Sequence, residues 1–206
     1  MKPWIFFAAA ALLSSAAPAQ TLPPRDECGP EFAAFRAQLL DIIARRDAAR
    51  LLEHLDPQIE FSFGGDGPGR DAFAVQWGLA TPETSALWTT LAEALLLGCA
   101  RSENGEVAAP YLFVRFPQQV DVFSGGVARP GARLYSAAGA EEDGVPIAWQ
   151  VVTETENRGT GWTRVRLADG RSGFIPDEML LSPIGWRAIF AQRGGRWLMT
   201  AFIAGD

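Results

Sequence analysis

The chain is nearly devoid of lysine, histidine and cysteine. Its 206 residues include one Lys, Lys2, one His, His54, and two Cys, Cys28 and Cys99. One His and two Cys fall short of the usual structural zinc set, so no metal site is expected. No GxGxxG and no GK[ST] is present, so no nucleotide loop or cofactor is expected. No G-x-S-x-G is present either, and we assign no catalytic residue. His54 stands beside Glu53 and near Asp56 and reads as a surface position of a helix. Glu53, Glu60 and Asp66 could converge as paired carboxylates, but their spacing gives that no support. Asp66 lies in the loop GGDGPGRD, Gly64 to Asp71, where Gly and Pro occupy the remaining calcium-ligand positions. Glu141-Glu142-Asp143 reads as a solvated loop. The net charge is −6. That sign disfavours sequence-independent binding to nucleic acid or to anionic membranes.

Long apolar runs are also missing after the first residues. The start, MKPWIFFAAAALLSSAAPAQ, has one positive residue, an apolar run from Trp4 to Leu13, and then Ala17-Pro18-Ala19. This order is that of a secretory signal peptide cleaved after Ala19. The run is too short for a comfortable membrane span. No Cys follows the cleavage site to carry a lipid. The mature protein is expected to be periplasmic or secreted, with no transmembrane segment.

An exported chain with two cysteines suits one disulfide, Cys28 to Cys99, with two buried thiols as the alternative. Such a bond would close a loop of about 70 residues, worth ~3–4 kcal/mol in the chain-entropy model.

The content of the chain is otherwise rich: 48% hydrophobic, with seven Trp and 13 Phe. Pro30 opens a helix carrying Phe32, Phe35, Leu39 and Ile42 at helical spacing. Asp47 can cap a second helix with Leu51, Leu52 and Leu55. Asp56-Pro57 ends it. Ile59, Phe61 and Phe63 alternate as a strand. Asp71 is expected to cap the helix DAFAVQWGL. A long helix is expected from Pro82 to Leu97, capped by Thr81 and ended by Gly98. Tyr111 to Phe116 and Val120 to Phe123 read as strands.

The second half is β-rich. ARLYSA, AWQVVTETEN, GWTRVRLADG and GFIPDEMLL are short segments separated by turns, a density that suggests a small barrel. Gly161-Trp162-Thr163-Arg164-Val165, Asp169-Gly170, Gly173-Phe174-Ile175-Pro176 and Met179-Leu180-Leu181 resemble the bacterial SH3-like, or SH3b, domain over about residues 128–183. The family's usual opening stretch is replaced by Arg133-Leu134-Tyr135-Ser136-Ala137. The resemblance implies a module that contacts peptidoglycan, a peptide or a partner protein of the envelope. Its candidate binding residues are Tyr135, Trp149, Trp162, Arg164 and Arg166.

After Ser182-Pro183 comes a hairpin. Ile184 to Ala191 and Arg196 to Ile203 alternate around Gly194-Gly195. It carries too much apolar surface to stand alone. With the early segment ARRDAARLLEHLDPQIEFSFGGDGPGRDAF, it resembles NTF2-like domains. The expected fold is α+β: a helical part, residues 20–127, completed by a C-terminal hairpin, residues 184–206, with an SH3-like barrel between them. The function expected first is non-catalytic envelope binding. The alternative is a small-molecule or enzymatic pocket in the α+β part.

Overall fold

The computed structural model describes residues 19–62, 67–140, 144–157 and 159–205. The expected signal peptide through Pro18, Phe63 with Gly64 to Asp66, and Glu141-Glu142-Asp143 lie outside the described residues. In chain order the elements are β1 Asp26–Glu27, α1 Pro30–Ala44, α2 Ala48–Glu53, β2 Leu55–Glu60, α3 Arg70–Gln76, α4 Leu87–Leu96, β3 Cys99–Arg101, β4 Val107–Ala109 and α5 Tyr111–Arg115. They continue with β5 Gly126–Ala128, β6 Arg133–Leu134, β7 Val145–Pro146, β8 Val151–Asn157, β9 Trp162–Leu167, β10 Ser172–Pro176, β11 Leu180–Leu181, β12 Arg187–Arg193 and β13 Arg196–Ile203. The fold is mixed α+β. None of the helices is long and apolar enough to cross a membrane among the described residues.

The first sheet runs β1-β3-β4-β12-β13-β2. Its centre is the C-terminal hairpin. Gly194 and Gly195 take φ of 57° and 76°, the two positive values that a tight two-residue hairpin turn demands. The hairpin pairs on one side with β4, Ala188 opposite Ala109, and on the other with β2, Met199 opposite Leu55. A register shift between Ile189 and Phe190 adjusts the pleat. Phe190, Trp197, Met199 and Phe202 join the core under the helices. There Phe32 of α1 meets Phe190 at 4.9 Å and Trp197 at 5.2 Å, both edge-on. At the hairpin's open end the Arg187 guanidinium is buried. It donates to the carbonyls of Ile184 and Gly205 at 3.1 and 2.9 Å, tying the two strand ends together.

The second sheet is antiparallel, in the order β10-β9-β8-β5-β11. β6 and β7 form a separate pair, and a single bridge from Tyr135 to Phe174 lays the end of β6 against β10. Among the described residues these strands do not close into the expected barrel. β11 is only two residues long, and one bridge is too little pairing to seal the other edge. One face of the sheet buries Leu134, Ile147, Val152, Val165, Leu167 and Ile175. Its other face packs Val127, Val151 and Leu181 against Leu112, Phe116 and Val120.

Residues 20–28 cross between the two sheets. The Leu22 N–H donates to Trp149 O, and Val151 N–H donates to Gln20 O, each at 2.8 Å. Further on, β1 runs parallel to β3, and Cys99 N–H donates to Arg25 O at 3.0 Å. The expected disulfide is present: Cys28 is bonded to Cys99 directly after this pairing.

Four local expectations need correction. Tyr111 to Phe116 is α5 followed by an extended residue, not a strand, and Val120 to Phe123 is largely turn. Aromatic and β-branched residues gave the run a strand-like look, but Pro110 precedes it and sets up a helical first turn. The helix expected from Pro82 is two pieces, a 3-10 turn at Pro82–Thr84 and then α4. Ser85 separates them with extended backbone. Its hydroxyl accepts from Leu87 N–H at 3.2 Å and donates to Trp77 O at 2.5 Å, so it caps the second piece. Asp71 is not the cap of α3. Gly69 holds that position at φ 124°, and Asp71 sits in the first turn, where its charge suits the helix N-terminus. The helix start expected at Pro30 and the cap expected at Asp47 are in place, Asp47 accepting from Arg50 N–H at 3.0 Å.

Candidate binding surface

The GW of the second sheet begins β9. Alternation then sends Thr163, Val165 and Leu167 inward and leaves Trp162, Arg164 and Arg166 on the outer face. Tyr135 arrives at the same place from β6. Its N–H and C=O both pair with Phe174, each bond 2.9 Å. The Tyr135 and Trp162 rings meet edge to face, centroids 5.3 Å apart at 86°. Both rings are half-buried, so they form an aromatic corner open to solvent on one side. Such a pair is worth ~0.5–1.5 kcal/mol beyond its buried area, enough to hold the corner's shape.

Two glycines make room for Tyr135. A Cβ on Gly144 would stand 2.7 Å from Tyr135 Cε1, and a Cβ on Gly173 would stand 2.5 Å from Tyr135 O. The floor beneath Trp162 is fixed by a short polar chain. Asn157 Nδ2 donates to Thr163 Oγ1 at 3.1 Å, and that hydroxyl, in a buried residue, donates to Asp177 Oδ1 at 2.7 Å. Buried hydroxyls are costly unless bonded, so this chain also fixes where the strand end lies.

Arg164 and Arg166 continue from the corner along β9. Glu156 approaches Arg164 at 3.8 Å, and Glu154 approaches Arg166 at 3.2 Å across the β8–β9 pair. All four side chains are largely exposed, so each pair contributes little to stability and can be rearranged by a ligand. Trp149 does not join this surface. It takes φ 61°, donates its N–H to Ala128 O at 2.8 Å, and packs with the cluster around Val127 and Val151. It belongs to the seam where residues 20–22 cross the sheet. The expected set of five therefore divides into Tyr135, Trp162, Arg164 and Arg166 on one face and Trp149 elsewhere. Phe174, across from Arg164, completes the face.

Outside this surface, ionisable groups serve the framework. Arg36 Nη2 donates to Asp26 Oδ2 at 2.6 Å, and Arg115 Nε donates to Glu27 Oε2 at 2.8 Å. These bonds hold both carboxyls below their ordinary range. Asp26 also lies near the two sulfurs, but these are bonded to each other. His54 closes α2, half-buried, with its ring edge-on to Phe35 at 5.5 Å. Burial pulls its pKa below 6.5, Glu53 pushes it back up, and Arg196 and Arg50 lower it further. It is more enclosed than the helix-surface position expected for it.

Comparison with known protein families, curated proteins and solved structures found nothing that matches this chain.

Proposed function

We propose that this chain is an exported, non-catalytic protein of the cell envelope whose second sheet is an SH3b-like binding module. In this reading the Tyr135–Trp162 corner, with Arg164 and Arg166 beside it, holds a peptide of peptidoglycan or an extended segment of a partner protein. The observation that carries the reading is the corner itself: two half-exposed aromatic rings in fixed geometry next to two exposed guanidinium groups. Aromatic faces take up the apolar parts of a peptide, and guanidinium groups pair with its carboxylates. The SH3b-like assignment is supported by the GWTRV and GFIP strands lying side by side as β9 and β10, with Tyr135 folded back onto Phe174. Export is supported by the leader-like start and by the Cys28–Cys99 bond.

The alternative, a pocket inside the NTF2-like part, has less support. The space between the helices and the first sheet is filled by Phe32, Phe73, Phe190 and Phe202, all fully buried.

Co-sedimentation of the mature protein with purified sacculi tests the proposal. The wild type should pellet with sacculi, and the double variant Tyr135→Ala/Trp162→Ala should bind at least about tenfold more weakly while keeping its circular dichroism. A wild type that stays in the supernatant, alone or with envelope extract, would rule the reading out.

A further inference from the structure

A second recess lies away from the aromatic corner, where the two sheets meet. It is a cleft of about 240 Å³ whose walls come from α4, from the segment around Pro110 and Leu112, from β11 and from Gly185 and Trp186 just before β12. Most of its lining is apolar: Leu97, Leu112 and Leu180, with Trp186 among them. Trp186 is 40% exposed, although its ring is stacked on Phe202 at 5.1 Å and held edge-on by Trp77 at 4.9 Å. A large aromatic side chain is thus fixed in place by two others, yet keeps a face uncovered.

One cation lines this cleft, Arg129, which follows β5 directly. Its Nη1 is paired with Glu93 of α4, an ion pair that joins the two halves of the recess. Its Nε is buried and meets no acceptor among the described residues. A guanidinium offers five N–H donors, and its Nε side makes the bidentate fork that fits a carboxylate. Glu93 uses the Nη1 end, and the Nε donor remains without an acceptor among the described residues. A buried donor without an acceptor costs free energy that an incoming oxygen would recover.

We propose that this cleft binds a small monocarboxylate with an apolar or aromatic body. The carboxylate accepts from Arg129, and the body lies along Leu97, Leu180 and the free face of Trp186. The occupant carries no more than one negative charge, because Arg129 is the cation of this lining and the Glu93 carboxylate already balances its charge. A phosphate dianion would face Glu93 with twice the repulsion. The volume limits the body to about the size of one ring or one branched chain, at the small end of ligand pockets. The proposal does not depend on the function of the Tyr135–Trp162 corner.

The test uses phenylacetate and 4-methylpentanoate as probes, with phenylacetamide as the uncharged control. Calorimetry measures binding to the mature protein, and the Trp186 indole resonance locates it. Both carboxylates should bind saturably, shift the Trp186 signal, and bind about tenfold or more tighter than the amide, since a charge-assisted pair is lost with it. Arg129→Gln should lose about the same factor. Glu93→Gln is the decisive variant, because it removes the same ion pair yet leaves the cation. Direct binding by Arg129 requires Glu93→Gln to bind more tightly than wild type. If the ion pair mattered only structurally, both variants would weaken binding alike, and the proposal would be overturned. It would also be overturned by the absence of saturable binding to millimolar probe, by equal binding of acid and amide, or by an unshifted Trp186. Should Arg129→Gln fail to fold, Glu93→Gln and the amide comparison still decide the matter.

Discussion

Gly98 offers a sharp check on how the crossing segment 20–28 is held. It lies just past α4 at φ 80°. Any L-residue there is strained, by about 1–2 kcal/mol. Space is also lacking. A Cβ on Gly98 would stand 2.8 Å from Arg25 N and closer still to Arg25 O. Those are backbone atoms and cannot swing aside as a side-chain end would. The segment must retreat, and the bond from Cys99 N–H to Arg25 O, 3.0 Å long, would stretch or break. That loss adds about 1 kcal/mol. Gly98→Ala is therefore expected to destabilise the protein by about 2–3 kcal/mol. Gly78 supplies the control: it has φ 61° and no atom within 4 Å of its would-be Cβ. Gly78→Ala should show the backbone cost alone. Urea unfolding of both variants, with the disulfide intact, measures the difference as a shift in midpoint at constant slope. If Gly98→Ala unfolds at the same midpoint as Gly78→Ala, the close approach of Arg25 does not hold in solution.

Other outcomes follow from the same geometry. Phe190→Ala removes a fully buried ring that meets Phe32 and Phe35. It should cost about 3–5 kcal/mol by chemical denaturation, a large share of a typical domain's stability. Trp149→Ala should lower the unfolding midpoint and leave sacculus binding per folded molecule unchanged, whereas Trp162→Ala should weaken binding per folded molecule in addition to the stability lost with its ring pair; equal effects on binding would contradict the division of the two residues. The depressed pKa of His54 makes the unfolded chain the better proton acceptor, so its contribution is complete above pH 6.5 and is lost as the pH falls through the lowered value. His54→Gln should flatten the stability profile in that window, seen by thermal melts across pH, and leave a second loss at lower pH. There Asp26 and Glu27, whose ordinary values of 3.8 and 4.5 are depressed, give up their Arg pairs.

What could be read from the sequence was whatever local chemistry determines. Pro30 and Asp47 mark helix starts because their geometry is preset or their side chain is short enough to cap. Gly194-Gly195 marks the hairpin because only positive φ lets two strands turn back with the right twist. The placement of that hairpin in the first sheet followed from its apolar surplus, which no isolated hairpin can leave in water. Where the sequence misled, a neighbouring proline and burial in the fold overrode the composition of the run. Tyr111 to Phe116 has the composition of a strand, yet Pro110 and the burial of Tyr111 and Leu112 make it a helical turn.

The candidate surface shows the same division. Trp162, Arg164 and Arg166 share a face because they alternate on one strand, and alternation is visible in a sequence. Trp149 has the same composition signal as Trp162, an aromatic residue beside a β-type run, but its positive φ takes it out of any alternation and into the seam with residues 20–22. Arg129 and Glu93 gave no signal at all. One follows a three-residue strand and the other sits in the middle of α4, and only the docking of the two sheets sets them face to face. A site built from a seam has no motif, because each wall is selected first for its own sheet. Its chemistry becomes readable only where a wall residue departs from what packing asks of it, as Trp186 does by staying open to solvent and Arg129 does by keeping a buried donor without an acceptor among the described residues.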